Sequence, residues 1–381
     1  MRALLILLLA MLAGCAQTPT LRGTGDLGIV IERASGRVAI VDTTAHSILA
    51  RVEGLGDLSH ASAVFSRDGR YAYVFGRDGG LTKIDLLQAR IDKRVIQAGN
   101  SIGGAISQDG RLVIAQNYTP GGIKVFDAAT LELLSEVPTN SKVVGLADLA
   151  AQRFAYALFD AGEIWITDLA DPRRPRTQKF AAGQQPYDGL VTPNGRHYMA
   201  GLFGEDGIAL LDTWQPQAGA KKILENYGKG QEKLPVFKMP HLRGWSMAQG
   251  KAYLPAIGRH EVLVVDGTSW KEVGRIPVKG QPVFVMARPD GRQIWVNFAF
   301  PDYSEIQVID TLSGKVVKTL APGKAVLHME FTPRGEQVWV SARDDNKVVI
   351  YDTATFEPIG ELPVQAPSGI FFASRAARIG F

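Results

Sequence analysis

A short, strand-like run ending in aspartate occurs eight times in this sequence and restricts the folds that the chain can adopt. The runs end at Asp42, Asp85, Asp127, Asp168, Asp212, Asp266, Asp310 and Asp352. Successive aspartates are 43, 42, 41, 44, 54, 44 and 42 residues apart. A four-stranded propeller blade takes roughly 40–45 residues. The repeat therefore predicts an all-β, eight-bladed β-propeller.

Most repeats also contain two further apolar runs joined by a tight turn. Examples are FSRDGRYAYVFG, AISQDGRLVIAQ, VTPNGRHYMAG and MARPDGRQIWVNF. Asp-Gly and Asn-Gly pairs readily supply the positive φ of a hairpin turn. Each blade is thus predicted as strand one, hairpin, strand two, loop, strand three ending in Asp, turn, strand four. We interpret the eight aspartates as turn formers and not as catalytic groups.

The two ends of the chain carry parts of one blade. Residues 368–381 have the pattern of strands one and two without a third, and residues 28–32 and 37–42 can complete that blade. Pairing of the N- and C-terminal strands would close the ring, which buries the blade faces and leaves no long open edge. The propeller is therefore predicted over residues 28–381.

The N-terminus predicts export and lipid anchoring. Arg2 precedes an apolar stretch over residues 3–13, which is typical of a secretory signal and too short to cross a bilayer. The stretch leads into Leu-Ala-Gly-Cys, which resembles a bacterial lipobox. We predict a signal peptide over 1–14, lipidation of Cys15, a linker over 15–27 and a periplasmic, membrane-anchored protein. A chance cysteine beside an ordinary cleavage site is the alternative.

Composition excludes several classes of chemistry. Cys15 is the only cysteine, so a disulfide, a cysteine-based metal site and covalent Cys-x-x-Cys-His haem attachment are excluded. The net charge of +4 is small for 381 residues and is spread along the chain, which gives no reason to expect a nucleic-acid partner. The sequence has no phosphate loop, G-x-S-x-G or H-E-x-x-H motif. Any haem would be bound non-covalently.

The repeat register predicts a site on the propeller axis. In each blade the start of strand one and the loop after strand two lie on the same face. His60 in blade 2 and His241 in blade 6 each lie eight residues before a hairpin turn, so two imidazoles are predicted to face each other across the axis. Imidazole is a common iron ligand, and an axial pocket can hold a flat macrocycle.

Other polar side chains have weaker register signals. Tyr187 of blade 5 is one residue out of the histidine register and could offer a phenol to the same space. His328 of blade 8 is two residues deeper, and both a structural and a functional role stay open for it. His46, in a turn on the opposite face, and His197, within a second strand, are interpreted as structural.

Arginines on the same face are candidate partners for the carboxylates of a bound macrocycle. These are Arg77, Arg243, Arg259 and Arg343. The long spacing between blades 5 and 6 adds about eleven residues within 225–240, immediately before the candidate histidine of blade 6. Such an insertion beside a pocket suggests a lid or a partner surface.

Three motifs carry a family resemblance. Residues 59–86, SHASAVFSRDGRYAYVFGRDGGLTKIDL, resemble the blade of cytochrome cd1 nitrite reductase that holds the proximal iron-ligand histidine. Residues 115–132, AQNYTPGGIKVFDAATLE, are similar to the next blade, and MPHLRG at 239–244 is similar to a motif that brings a distal histidine. The resemblance implies a non-covalent haem d1-type tetrapyrrole with His60 on the iron.

Two departures indicate which relatives are meant. No haem c domain is present, and in QPYDGL the second distal histidine is replaced by Tyr187. The pattern is similar to the NirF family, export-signalled homologues required for haem d1 biosynthesis in denitrification. This resemblance implies Asn117 and Tyr118 as further cofactor contacts. It also implies cytochrome cd1 nitrite reductase and a related d1 protein with a c-type cytochrome as partners.

Three functions stay open at this point. The first is an enzyme that binds a haem d1 precursor and promotes a late oxidation or side-chain change, with His241 and Tyr187 as catalytic candidates and an external electron acceptor. The second is a non-catalytic carrier that delivers the cofactor to nitrite reductase. The third is an interaction propeller that binds no tetrapyrrole.

Overall fold

A computed structural model describes residues 22–225, 244–256 and 258–378. Its strands form eight four-stranded antiparallel sheets, and neighbouring sheets contact each other through their innermost strands. The predicted all-β, eight-bladed propeller is confirmed. None of the helices in these three segments is long and apolar enough to cross a membrane.

The strands follow the blades in chain order. Blades 1 to 4 contain β1 (Leu27–Glu32), β2 (Arg37–Asp42) and β3 (Ser47–Val52); β4 (Ser62–Phe65), β5 (Tyr71–Phe75), β6 (Gly80–Asp85) and β7 (Arg90–Ile96); β8 (Asn100–Ile106), β9 (Leu112–Thr119), β10 (Gly121–Asp127) and β11 (Leu133–Pro138); β12 (Val143–Leu149), β13 (Arg153–Leu158), β14 (Glu163–Asp168) and β15 (Arg176–Ala181). Blades 5 to 8 contain β16 (Pro186–Val191), β17 (His197–Leu202), β18 (Ile208–Asp212) and β19 (Ala220–Ile223); β20 (Ser246–Ala248), β21 (Lys251–Ala256), β22 (Glu261–Asp266) and β23 (Glu272–Pro277); β24 (Pro282–Ala287), β25 (Gln293–Phe298), β26 (Ile306–Asp310) and β27 (Lys315–Leu320); β28 (Val326–Phe331), β29 (Gln337–Ala342), β30 (Lys347–Asp352) and β31 (Pro358–Pro363). The last strand, β32 (Pro367–Phe372), belongs to blade 1, and short 3-10 helices span Pro216–Ala218, Arg343–Asp345 and Ala373–Ala377.

The eight repeat aspartates end the third strands, and their carboxylates hold the turns that follow. Asp42 Oδ1 accepts hydrogen bonds from the amides of Thr44 and Ala45 at 2.8 and 2.7 Å. The other seven aspartates accept from amides two or three residues further on in the same way. An aspartate that bonds its own downstream backbone stabilises a turn. Their predicted structural role is confirmed.

Blade 1 closes the ring with strands from both ends of the chain. β32 pairs antiparallel with β1, so the sheet order is β3-β2-β1-β32. The prediction that residues 368–381 supply two strands is wrong. Among the described residues 368–378 the chain supplies only part of β32, because β1 already occupies the second position and the chain continues as the 3-10 helix Ala373–Ala377.

The hydrophobic core lies between the blades and not on the axis. Middle strands such as β1 are wholly buried, whereas an outermost strand such as β7 is largely exposed. Large side chains including Trp295 and Trp339 are fully buried, and the Tyr73 hydroxyl donates to the Ala128 carbonyl of the next blade at 2.7 Å. The axial channel is therefore left to the side chains of the innermost strands.

Candidate functional site

β-Bulges shape the wall of the axial channel. We call the end of the channel that bears the candidate site the mouth. In six blades the innermost strand has one extra residue near the mouth, where it pairs with the second strand. In blades 2 and 6, β4 and β20 pair regularly and are only 4 and 3 residues long. These two blades lie opposite each other, and in blade 2 a loop and not a strand continues the wall from β4 toward the mouth.

The bulges change which side chains lie at the same depth along the propeller axis. Ser62 and Tyr187 each pair with the fifth residue of the second strand of their blade, and the His328 amide donates to the side chain of the fifth residue of β29, Ser341. We call this depth the lower tier. It is two residues below His60, so Tyr187 lies deeper than its predicted register. Counting from the hairpin misplaced it because each bulge takes up one residue.

Of the two opposed histidines only His60 lies within the described residues, so their predicted equivalence stays a prediction. Phe65 of β4 and Met247 of β20 are at the same register, since each pairs with the residue that follows the first residue of its second strand. The hairpin that follows Met247 is shorter than the one that follows Phe65.

Several predicted features lie outside the described residues. These are Cys15, His241, Arg243 and residues 226–240 of the insertion. Their predicted roles stay predictions.

The loop that presents His60 is fixed by neighbouring backbone and side chains. The Ser59 amide donates to Asp57 Oδ1 at 2.8 Å, and the Arg77 amide donates to the Asp57 carbonyl at 2.8 Å. The Arg33 guanidinium of blade 1 donates to the Ser59 carbonyl at 2.5 Å. These bonds hold the residues before His60, whose side chain is exposed at the mouth.

Three arginines of consecutive blades form a cationic arc beside this loop. Arg343 of blade 8, Arg33 of blade 1 and Arg77 of blade 2 all follow the second strand of their blades. Burial, and then the charges of Arg343 and Arg77, lower the pKa of the Arg33 guanidinium. Arg343 pairs with Asp344 at 2.6 Å, whereas the Arg77 guanidinium donates no hydrogen bond to any described residue. The arc thus has positive charge available for a carboxylate.

Arg33 is not among the arginines predicted from the sequence, because the sequence pattern assigns strand two of blade 1 to residues 368–381 and the structure assigns it to β1. It follows strand two of blade 1, at the loop position that Arg77 has in blade 2. Arg259 is predicted for the same role. The hydrogen bond from Arg275, and to a smaller extent the charges of Arg275 and Arg259, lower the pKa of Glu272 on β23, the outermost strand of blade 6. The Arg259 charge therefore acts on a carboxylate of that outermost strand.

Next to the cationic arc, blades 3 to 5 contribute an aromatic arc. The Tyr118 hydroxyl donates a long hydrogen bond to the Tyr187 hydroxyl at 3.5 Å. The rings of Phe159 and Phe203 lie 5.8 and 6.1 Å from that of Tyr187. Burial raises the pKa of both tyrosines, which therefore stay protonated at neutral pH. The aromatic arc is an apolar wall with two hydroxyl groups.

Asn117, predicted as a cofactor contact, is buried, and its side chain pairs with another side-chain amide. Its side-chain amide exchanges two hydrogen bonds with that of Gln97, at 2.8 and 2.9 Å. A buried amide with both groups bonded is a stable structural element. Asn117 thus fixes the backbone that carries Tyr118.

Two other histidines have the structural contacts that were predicted. His46 Nε2 lies 3.0 Å from Gln337 Oε1, and its ring is edge-on to Trp339. The His197 ring is edge-on to Trp270, with centroids 5.6 Å apart.

The arrangement fits a carboxylated, iron-containing tetrapyrrole. An imidazole stands at the mouth, guanidinium groups with available charge lie beside it, and an aromatic wall continues around the ring. These features define a tetrapyrrole-binding propeller.

Comparison with known proteins gives the same class and narrows it. The chain matches the family model "Cytochrome D1 heme domain" over residues 22–376 and belongs to this family. The predicted cofactor class, haem d1 or a late precursor, is thereby confirmed. The chain is 60% identical to Protein NirF of Pseudomonas aeruginosa, over 100% of this chain and 99% of that protein. It is 56% identical to Protein NirF of Stutzerimonas stutzeri, over 99% and 98%. The predicted resemblance to the NirF family is confirmed.

A solved structure of a related protein shows the same fold. Dihydro-heme d1 dehydrogenase NirN in complex with DHE superposes with a TM-score of 0.84 at 26% identity, covering 96% of this chain and 79% of that one.

Proposed function

We propose that the protein binds a late haem d1 precursor at the propeller mouth and takes part in a late step of haem d1 biosynthesis for denitrification. The observation that supports this most is the meeting of His60, the cationic arc and the aromatic arc on one face. Each group matches one part of such a ligand: the iron, the carboxylates and the flat ring.

Different side chains of the mouth would bind different parts of the ligand. His60 offers a nitrogen to iron, and the cationic arc neutralises carboxylates and fixes the orientation of the ring. The aromatic arc excludes water from one edge. When bound, an iron tetrapyrrole supplies the redox chemistry of a maturation step. Tyr187 holds a proton near that edge, and His241 is the second candidate for proton transfer.

A spectral titration with haem d1 and with dihydro-haem d1 tests the proposal. The wild-type protein should bind each with one saturable Soret shift, and His60→Ala should abolish the shift. His197→Ala, on the opposite face, is the matched control and should bind normally. If the wild-type protein binds neither compound, the proposed function is wrong and the interaction propeller is favoured.

A carrier is the second candidate function, because two side chains of the proposed site are exposed. His60 and Arg77 are both exposed, which would allow a ligand to leave for a partner such as cytochrome cd1 nitrite reductase. His241→Ala and Tyr187→Phe distinguish the two functions. Loss of product formation with unchanged binding supports an enzyme. Normal product formation with failed delivery to the apo-reductase supports a carrier.

We also propose that the protein is exported, cleaved before Cys15 and anchored by a lipid at the periplasmic face of a membrane. The lipobox-like sequence supports this proposal. The wild-type chain should then fractionate with membranes, and Cys15→Ala should be released in soluble form with unchanged ligand affinity. Equal fractionation of the two proteins would contradict lipid anchoring.

A further inference from the structure

His328 occupies a position on the channel wall that the proposed function does not use. It is half-buried on β28, the innermost strand of blade 8. Phe284 of blade 7 and Phe371 of blade 1 flank its ring, with centroids 5.7 and 5.6 Å away. Three neighbouring innermost strands thus hold one imidazole between two aromatic rings.

Hydrogen bonds fix the tautomer of this imidazole. The Ile370 amide of β32 donates to His328 Nδ1 at 3.3 Å, so Nδ1 is an acceptor and the ring proton is on Nε2. The backbone of His328 is held as well, because its amide donates to Ser341 Oγ at 2.9 Å and its carbonyl accepts from the same hydroxyl at 3.2 Å. No described residue accepts a hydrogen bond from Nε2.

The ring is held in its neutral form. Burial, and then the nearby charge of Arg375, lower the pKa of His328 to about 4, although Glu330 acts in the opposite direction. Arg375 forms a two-pronged ion pair with Glu330 at 2.8 and 2.5 Å. His328 therefore presents an uncharged N–H donor.

The height of His328 decides what can reach it. It lies in the lower tier with Tyr187, two residues below His60, which is roughly 7 Å at the rise of a β-strand. A macrocycle held by His60, with its carboxylates on the cationic arc, would present its other edge to this tier. The carboxylates of the macrocycle would pair with the guanidinium groups of the cationic arc. The neutral N–H of His328 therefore suits an uncharged acceptor on the other edge of the macrocycle.

We propose that His328 is a specificity-determining residue, which donates its Nε2–H to a ring carbonyl oxygen on the tetrapyrrole edge that enters the channel. This inference rests on the proposed function. The residue selects macrocycles that carry an oxo group at this edge over those that carry only alkyl groups, since an alkyl edge leaves a desolvated N–H without a partner.

The test compares two iron macrocycles, a dioxoisobacteriochlorin and mesoporphyrin IX, whose ring edge has no oxo group. His328→Phe should weaken binding of the dioxo compound about tenfold and leave mesoporphyrin affinity unchanged, as expected for one hydrogen bond. His328→Gln keeps an amide donor and should retain most of the selectivity. His197→Phe, an equivalent change away from the channel, should alter neither affinity.

Nitrogen-15 NMR of the histidines gives a second readout that does not depend on variants. The wild-type His328 resonances should show the Nε2–H tautomer, and a diamagnetic zinc dioxo macrocycle should shift Nε2 whereas zinc mesoporphyrin should not. Equal weakening of both iron compounds in His328→Phe, or an unshifted Nε2, would overturn the inference. If the wild-type protein binds neither compound, the proposed function fails instead. If His328→Phe does not fold, the Gln variant and the NMR shift decide.

Discussion

Arg77 is the residue at which the charge of the cationic arc is most available. It is exposed, it is close enough to Arg33 to lower the pKa of that group, and its guanidinium bonds no described residue. A charged hydrogen bond contributes about 1.5–3 kcal/mol. Arg77→Gln should therefore weaken binding of a carboxylated iron porphyrin by about ten- to a hundredfold, measured by spectral titration.

The control for this prediction is Arg259→Gln. Arg259 is also an exposed arginine in a loop after strand two, but its charge acts on Glu272 at the outer edge of its blade. Arg259→Gln should leave the affinity unchanged, and the methyl ester of the same porphyrin should bind wild type and Arg77→Gln equally. An ester that is as sensitive as the acid to Arg77→Gln would contradict carboxylate recognition.

His328 makes stability depend on pH in a defined direction. Its pKa is lowered from 6.5 to about 4 in the folded protein, so the unfolded chain binds the proton more tightly. The free energy of unfolding should fall as pH drops from 6.5 to about 4 and should gain nothing from this group above pH 7. In His328→Gln this fall should be smaller by about 2 kcal/mol, allowing for partial exposure to the channel. Urea unfolding at pH 7 and pH 4 measures the difference, and parallel pH profiles would refute it.

For the strands, the sequence predicts the repeat length well. It predicts poorly how deep each side chain of the channel wall lies along the propeller axis. The aspartates and hairpin turns are local signals, so all eight third strands end where they were expected. The bulges are not visible in the sequence, because an extra residue in strand one is noticed only against its paired strand. Tyr187 therefore lies deeper than its sequence register indicates. Arg33 follows strand two only because β1, and not the C-terminal segment, takes that place in blade 1.

The ion pair of Glu330 and Arg375 links the 3-10 helix Ala373–Ala377 to blade 8. Glu330 is 2% exposed, and the two guanidinium contacts are 2.8 and 2.5 Å long. Arg375→Ala leaves a buried carboxylate without its partner and should lower the free energy of unfolding by about 3–5 kcal/mol. Denaturant unfolding at pH 7 measures this loss.

An exposed pair of the same type provides the comparison. Arg334 lies 2.9 Å from Glu336, and both side chains are highly exposed. Arg334→Ala should cost less than about 1 kcal/mol, as surface pairs do. The double variant Glu330→Leu with Arg375→Ala should recover much of the loss. If Arg375→Ala and Arg334→Ala lowered the free energy of unfolding equally, burial of the Glu330–Arg375 pair would not explain the loss.

For the whole molecule, the closing blade decides whether the ring is one cooperative unit. Ile370, Phe371 and Phe372 of β32 are 0, 7 and 2% exposed, and the strand pairs with β1 through Phe372, Phe371 and Ile370. Burial of each large apolar side chain contributes roughly 1.5–3 kcal/mol. Removing residues 367–381 would expose these partners and leave β1 as an open edge.

The truncated protein should lose about 5 kcal/mol or more of unfolding free energy, or fail to unfold in a single transition. A synthetic peptide of residues 364–378, added in trans, should restore the transition by supplying the missing strand. A peptide of the same composition in scrambled order is the control and should not restore the transition. Thermal unfolding followed by circular dichroism measures the wild-type chain and the truncated chain with each peptide. If the truncated chain were as stable as the wild type and the peptide had no effect, closure by β32 would not hold the ring together. Contacts between the other blades would then be sufficient.

If the peptide restores stability, the channel that contains His328 and Phe371 depends on that strand, and tetrapyrrole binding should return with it.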